Sequence, residues 1–177
     1  MRDPEAVHAW LAAAKGGDEE AFRSLLTLYY PTLFRLVFQM VPRAEDAEEI
    51  LQDTFYRFYR ALARLRAGED PFPFLRTIAV RTTYSFLKRR RRQPLSLEEL
   101  PEELAHLPVQ ELQVEVATLY RWAERLPPQQ RMVFLLRDVL GVEDAAIAGM
   151  LGIREPTVRR HASLAREAFK RDFGSPP

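Results

Sequence analysis

Residues 142–171 read VEDAAIAGMLGIREPTVRRHASLAREAFKR, and their spacing predicts two helices joined by a very short turn. Ala146, Ile147, Met150 and Leu151 fall on one side of the first helix. Gly152 permits the backbone to reverse, and Pro156 suits the opening turn of the second helix. In that second helix Val158, Ala162, Ala165 and Phe169 recur at i, i+4, i+7 and i+11, so they share an inward face. The other side carries Thr157, Arg159, Arg160, Ser163 and Lys170. Cations toward a helix C-terminus also favour the macrodipole, and the arginines alone are explained slightly better as a solvated face. The combination carries more: a short helix, a glycine turn and small alanines that allow a steep crossing present an exposed basic helix. That is what a DNA major groove and its phosphates require. Arg159 and Arg160 are the leading candidates for groove contacts.

Working outward, helical spacing of apolar residues persists through almost the whole chain, and hairpin signals are missing. The expected fold class is all-α, with two small helical domains joined by a flexible linker. Pro4 and Asp18 are expected to open the first two helices, Pro31 a third, and a fourth to begin near Ala44 after Pro42. Pro71 and Pro73 are read as a loop before a helix from about Phe74 to Arg91. Residues 93–110 contain Pro94, Pro101 and Pro108 among glutamates and read as a linker with at most a weak turn of helix. The expected division is therefore 1–92, the linker 93–110, and 111–177. In the last block Pro127 and Pro128 open a helix that Gly141 closes.

Two further segments carry surface chemistry. In DAEEILQDTFYRFYRAL (46–62), Ala47, Ile50, Leu51, Phe55, Phe58 and Leu62 form a broad buried stripe. Its outer face runs from Glu45, Glu48, Glu49 and Asp53 to Arg57, Arg60 and Arg64. Part of this is i,i+4 helix support, about 0.3–0.5 kcal/mol per pair, but the charged face stays available to a protein partner. In PFPFLRTIAVRTTYSFLKRRRR (71–92), seven basic residues and no acidic one lie between Arg76 and Arg92, with Phe72, Phe74, Tyr84 and Phe86 in or beside the run. Cations neutralise phosphates and aromatics stack on unpaired bases, a combination suited to DNA whose strands are being separated. Most of these aromatics are read as core. The remaining expectation is that Arg76, Arg81, Lys88 and Arg89, with Phe74 and Tyr84, lie along a DNA strand, while the loop Gly68–Pro73 approaches an exposed base.

Composition bounds the alternatives. The 177 residues carry 26 Lys and Arg against 25 Asp and Glu, a formal net charge of +1, so DNA binding has to come from local clusters. Cysteine is absent, which excludes disulfide scaffolds and thiolate metal sites. His8, His106 and His161 are too scattered for a paired metal site. No metal or other cofactor is expected. No apolar run is long enough to span a bilayer, so a cytoplasmic protein without membrane insertion is expected. Enzymatic use of paired carboxylates such as Glu48–Glu49 or Glu102–Glu103 is disfavoured, because adjacent helical side chains diverge by about 100°. No catalytic residue is assigned.

Taken together, GDEEAFRSLLTLYYPTLFRLV (17–37), DAEEILQDTFYRFYRAL (46–62) and FPFLRTIAVRTTYSFLKRRRR (72–92) resemble region 2 of extracytoplasmic-function (ECF) sigma factors of the sigma-70 family. LPPQQRMVFLLRDVLGVEDAAIAGMLGIREPTVRRHASLARE (126–167) resembles their region 4. The resemblance implies a non-enzymatic transcription-initiation factor that joins core RNA polymerase. Asp46, Glu49, Gln52, Asp53 and Phe55 would lie on or beneath the surface that engages the clamp coiled coil of the largest subunit. Region 2 would read and melt the minus-ten element of promoter DNA, and the helix from Pro156 would read the minus-thirty-five element. An anti-sigma factor is a further implied partner. The chain departs from the family pattern at Phe74, Arg81 and Ser85, where tryptophan, asparagine and aspartate are common. It departs again at Glu155 and Pro156 in the turn, and at His161 and Leu164, which implies fewer groove contacts. The competing function is a helix-turn-helix regulator that binds DNA without joining polymerase, which leaves residues 1–92 unexplained.

Overall fold

A computed structural model describes residues 4–41, 43–66, 68–90 and 118–174, and among these there are helices and turns but no strand. The backbone divides into two units, 1–41 with 45–83 and 42–44 with 84–177. The expected linker 93–110, its weak turn of helix and the start of the last block at 111 lie outside the described residues, as do Arg91, Arg92 and Pro42.

In the first unit α1 spans Pro4–Lys15 and α2 Glu19–Phe38. The Asp18 carboxylate caps α2 by accepting from the Ala21 backbone N–H at 3.0 Å, which satisfies one of the donors a helix start leaves free. Val7, Leu11 and Ala14 of α1 are buried, as are Leu25, Tyr29, Leu33 and Val37 of α2. That last series explains a correction. Pro31 does not open a new helix; it lies inside α2. An interior proline loses one backbone hydrogen bond and crowds the preceding turn. Here the ring sits on the exposed side, while the apolar spacing of four runs unbroken beneath it from Leu25 to Val37. Burial of that stripe outweighs the local penalty.

Helix α3 spans Ala44–Ala61 and ends in a 3₁₀ turn, Leu62–Arg64. All six residues of its expected stripe are buried, and Thr54 joins them by donating to the Ile50 carbonyl at 2.7 Å. Phe22 of α2 packs against Phe58 and Tyr59 of α3 at ring separations of 6.1 and 5.1 Å.

Helix α4 spans Pro71–Arg90, and its residues from Tyr84 onward are counted with the second unit. It begins three residues earlier than expected, because both prolines occupy its first turn, where their missing N–H groups have no helical partner to lose. The Asp70 carboxylate accepts from the Phe72 N–H at 2.9 Å and serves as the cap. Phe72 stacks on Tyr29 at 5.5 Å, and Phe74 lies against Phe58 at 6.4 Å.

In the second unit residues 118–123 are helical (α5), followed by α6 (Pro128–Phe134), which widens into a π-helical turn at Leu135–Val139. Helix α7 spans Asp144–Leu151 and α8 Glu155–Phe173. Trp122 of α5 packs edge-on against Phe134 of α6 and Phe169 of α8, at 5.2 and 5.1 Å, and its indole N–H donates to Asp172 at 2.9 Å. Trp122 thus gains apolar burial without orphaning its one donor. Burial pushes the Arg131 guanidinium below its ordinary range, with Glu124 opposing that shift.

Candidate nucleic-acid and polymerase interfaces

Helix α7 ends at Gly152, whose φ of 67° is the left-handed conformation expected of the turn. Its inward face consists of Ile147, Ala148 and Met150, while Ala146 and Leu151 are half-buried. The Ile153 N–H bonds back to the Ala148 carbonyl at 3.0 Å, completing the reversal into α8. Val158, Ala162 and Ala165 are fully buried and Phe169 half-buried, so α8 turns the predicted face inward. Two ion pairs fix this crossing: Arg137 Nε to Asp144 at 2.8 Å, and Arg166 to Asp138. The first joins the π turn to α7 and the second joins it to α8.

The outer face of α8 carries Arg159, Arg160, Ser163 and Lys170, all exposed, with Thr157 half-buried at its start. Arg159 pairs with Glu155 at 3.3 Å, and Ser163 donates to Glu167 at 2.9 Å. Leu164 interrupts the polar face and is 37% exposed. His161 is half-buried, its Nδ1 has no hydrogen-bond partner, and burial together with the neighbouring Arg160 charge lowers its pKa. Arg154, exposed just before α8, was not among the sequence candidates. Its signal was position alone: a cation two residues ahead of Pro156.

Along α4, Arg81 and further on Ser85, Lys88 and Arg89 are exposed, whereas Phe74, Arg76 and Tyr84 are half-buried. Arg76 Nε is buried without a hydrogen-bond partner. The Arg89 and Arg90 guanidinium groups lie 6.0 and 5.6 Å from the centre of the Phe86 ring, so a buried aromatic orients the basic end of the helix. Of the four aromatics in or beside the basic run only Phe86 is buried; Phe72, Phe74 and Tyr84 are half-buried, so the core reading holds fully for one of them.

On α3 the face is graded. Glu49 and Gln52 are exposed, Asp46 and Asp53 half-buried, and Phe55 lies beneath them. Asp53 accepts from Arg57 Nε at 2.8 Å. A shallow depression follows, lined by Asp53, Tyr56, Arg57, Arg60, Ala61 and Arg64. Tyr56 and Tyr59 are 60% and 49% exposed, and Tyr30 of α2, stacked on Phe34 and Phe55, is 40% exposed. Sequence reading did not single out these tyrosines, because in an aromatic-rich helix nothing separates a surface ring from a core ring except its angle around the axis. Among the described residues no group of three or more histidines and carboxylates could hold a metal, and no helix is long and apolar enough to cross a membrane.

Residues 25–93 match the family described as Sigma-70 region 2, and residues 117–169 match Sigma-70, region 4. The ECF RNA polymerase sigma factor SigM of Mycobacterium tuberculosis is 30% identical over 168 residues, covering 93% of this chain and 83% of the relative. The ECF RNA polymerase sigma-E factor of Escherichia coli K12 is 31% identical over 171 residues, covering 86% of each. Among solved structures, CnrH in complex with the cytosolic domain of CnrY aligns with a TM-score of 0.60 at 18% identity, over 94% of this chain and 96% of that one. The sigma factor RpoE of Bartonella quintana, in complex with the anti-sigma factor NepR, aligns with a TM-score of 0.58 at 21% identity, over 85% and 94%. The likeness to these structures concerns the fold; the matches to both region families in order, and to relatives over most of their length, show that this chain belongs to the ECF sigma factors of the sigma-70 family.

Proposed function

We propose that the protein joins core RNA polymerase through the outer face of α3 and directs it to promoters whose minus-thirty-five element is read by α8 and whose minus-ten element is read and opened along α4. The observation that carries this reading is the exposed basic face of α8, with Arg159 and Arg160, on a chain that also carries the region 2 match. Thr157, Arg159, Arg160, Ser163 and Lys170 supply groove and phosphate contacts, and Arg154 adds a cation where α8 enters the groove. On α3 the acidic half, Asp46, Glu49, Gln52 and Asp53 over Phe55, engages the clamp coiled coil of the largest subunit, with Tyr56 and Tyr59 beside it. Exposed tyrosines at such a place are suited to a protein interface, since they bury large area at low entropic cost.

On the minus-ten side Arg81, Lys88 and Arg89 follow the backbone of the parting strands. Arg76, half-buried nearer the start of the helix, adds a further cation to this strand contact, and Phe74 and Tyr84 offer ring edges. The loop ahead of α4 receives an unpaired base; unstacking it costs a few kcal/mol, which stacking and pocket contacts return in similar amount. Strand opening therefore requires no catalytic group and no cofactor. Residues 93–110 serve as a tether between two DNA-reading units. CnrH and RpoE were each solved with a protein bound, in the second case an anti-sigma factor, and a comparable inhibitor is proposed for this chain. The place of action is the cytoplasm.

Run-off transcription with purified core polymerase on a pooled promoter library tests the proposal: the chain is expected to confer RNA synthesis on a subset of templates sharing two spaced elements. Tight DNA binding without a polymerase complex on gel filtration, and without RNA synthesis, would instead support the regulator that works alone.

A further inference from the structure

From the contacts that converge on the turn ahead of α4, we infer that Lys15 is a positioning residue for promoter opening, holding the base-receiving loop in place. The inference rests on the proposed capture of an unpaired base by that loop.

The loop begins where the 3₁₀ turn ends. Leu65 is buried, and its N–H donates to the Leu62 carbonyl at 3.2 Å. Its own carbonyl accepts from the Lys15 ammonium. Lys15 is the last residue of α1 and lies 50 positions away in sequence. One peptide is thus gripped from both sides, by its own turn and by a charged donor from another helix. A charged donor to a carbonyl is among the stronger hydrogen bonds available near a surface.

The far end of the loop is anchored differently. Asp70 caps α4 through the Phe72 N–H and also accepts from the Tyr29 hydroxyl at 3.3 Å. Tyr29 is only 1% exposed, so this anchor is planted in the core of the unit. Between the two ends the Arg66 N–H donates to the Glu69 carboxylate at 3.1 Å, and Gly68 adopts a φ of 80°. The left-handed glycine lets the loop turn back on itself, and the Glu69 bond closes that turn. Helix α1 brings to the start of the loop the charged donor of Lys15.

The physical reason for such a staple is entropic. A flexible loop that must order itself around a flipped base spends part of the binding energy on its own immobilisation, whereas a fixed loop does not. The staple therefore acts selectively on the step in which the base is captured. Phosphate binding elsewhere on the chain does not depend on it.

The test uses holoenzyme assembled from core polymerase and the full-length chain. Fork-junction DNAs are made from a promoter that the wild-type chain selects from a pool, with abasic sites placed one at a time through the minus-ten region. Wild type is expected to bind at least one intact template better than its abasic counterpart. In Lys15→Met that preference should shrink by about fivefold or more, as expected for loss of a charged hydrogen bond, while affinity for the abasic template stays as in wild type. Lys15→Arg, which keeps a long charged donor, should restore the preference, and thermal melts should show both variants folded. If Lys15→Met retains the full preference, or weakens both templates equally, the positioning role is wrong while base capture stands. If wild type shows no preference at any position, base capture itself fails and the inference with it.

Discussion

Arg159 and Arg160 point about 100° apart on α8, so they cannot serve one base edge together. Arg159 already pairs with Glu155 and has to exchange that partner to contact DNA. Replacing each with alanine is expected to separate their roles in binding titrations. The base-reading arginine should cost about 1–3 kcal/mol and relax preference at one promoter position, while the phosphate-holding one should lower the salt dependence by about one ion. Asp53 offers a sharper test of the polymerase face. Its exposed pair with Arg57 contributes about 0.3–0.5 kcal/mol at most, so Asp53→Lys should leave helix content and melting nearly unchanged while weakening assembly with core polymerase on gel filtration. His161 is the residue to follow with pH. Its folded pKa lies below the ordinary value, so the unfolded chain takes up the proton more readily. Stability is therefore full above the unfolded pKa and declines as pH falls through about 6.5 toward the folded value. His161→Phe should flatten that acid limb in thermal melts followed from about pH 7.5 to 5.5.

At the scale of helices, two sites test how the local rules were obeyed or overridden. Pro31→Ala restores a backbone donor and relieves ring crowding in the interior of α2, at an exposed position. It is expected to raise stability by about 1–3 kcal/mol, seen as a higher midpoint in urea. Gly152→Ala places a side chain on a left-handed backbone and should lower stability by about 1 kcal/mol. The turn at Gly152, the cap at Asp18 and the start at Pro128 were all legible because each depends on the residue itself and its immediate neighbours. Pro31 misled because proline marks a helix start only where the apolar stripe also breaks, and here it does not. The early start of α4 was obscured by two prolines that look like a loop yet sit where a helix has no donor to lose. The outward faces of α3 and α8 followed from periodicity. The exposed tyrosines, the half-burial of Arg76 and the reach of Lys15 to Leu65 did not, since each is set by packing between segments far apart in sequence.

For the whole molecule, the proposed division of labour assigns affinity to two DNA elements read by units on one chain. Tethering turns the second contact into an intramolecular event, worth about a hundredfold or more in effective affinity. Supplying residues 1–92 and 111–177 as separate polypeptides should therefore leave polymerase binding by the first piece intact while promoter-directed RNA synthesis falls by about that factor. Equal synthesis from the severed pair would show that the tether adds nothing. The proposed division agrees with the charges: a formal net charge of only +1 over 177 residues means that any DNA attraction has to come from local basic faces such as those of α4 and α8.

The wide turn after α6 has its own consequence. Leu140 donates its N–H to Leu135 at 2.9 Å, five residues back, where an ordinary helix would reach back four. The helix thus closes on a wider turn at Leu135–Val139, and the angle at which Arg137 and Asp138 leave it is set by that widening. Arg137 and Asp138 project from inside this stretch toward Asp144 and Arg166. Excising a single residue there would rewind the turn and swing both clasps off their targets, so α8, the proposed DNA-reading helix, is aimed by a count of residues as much as by their kind.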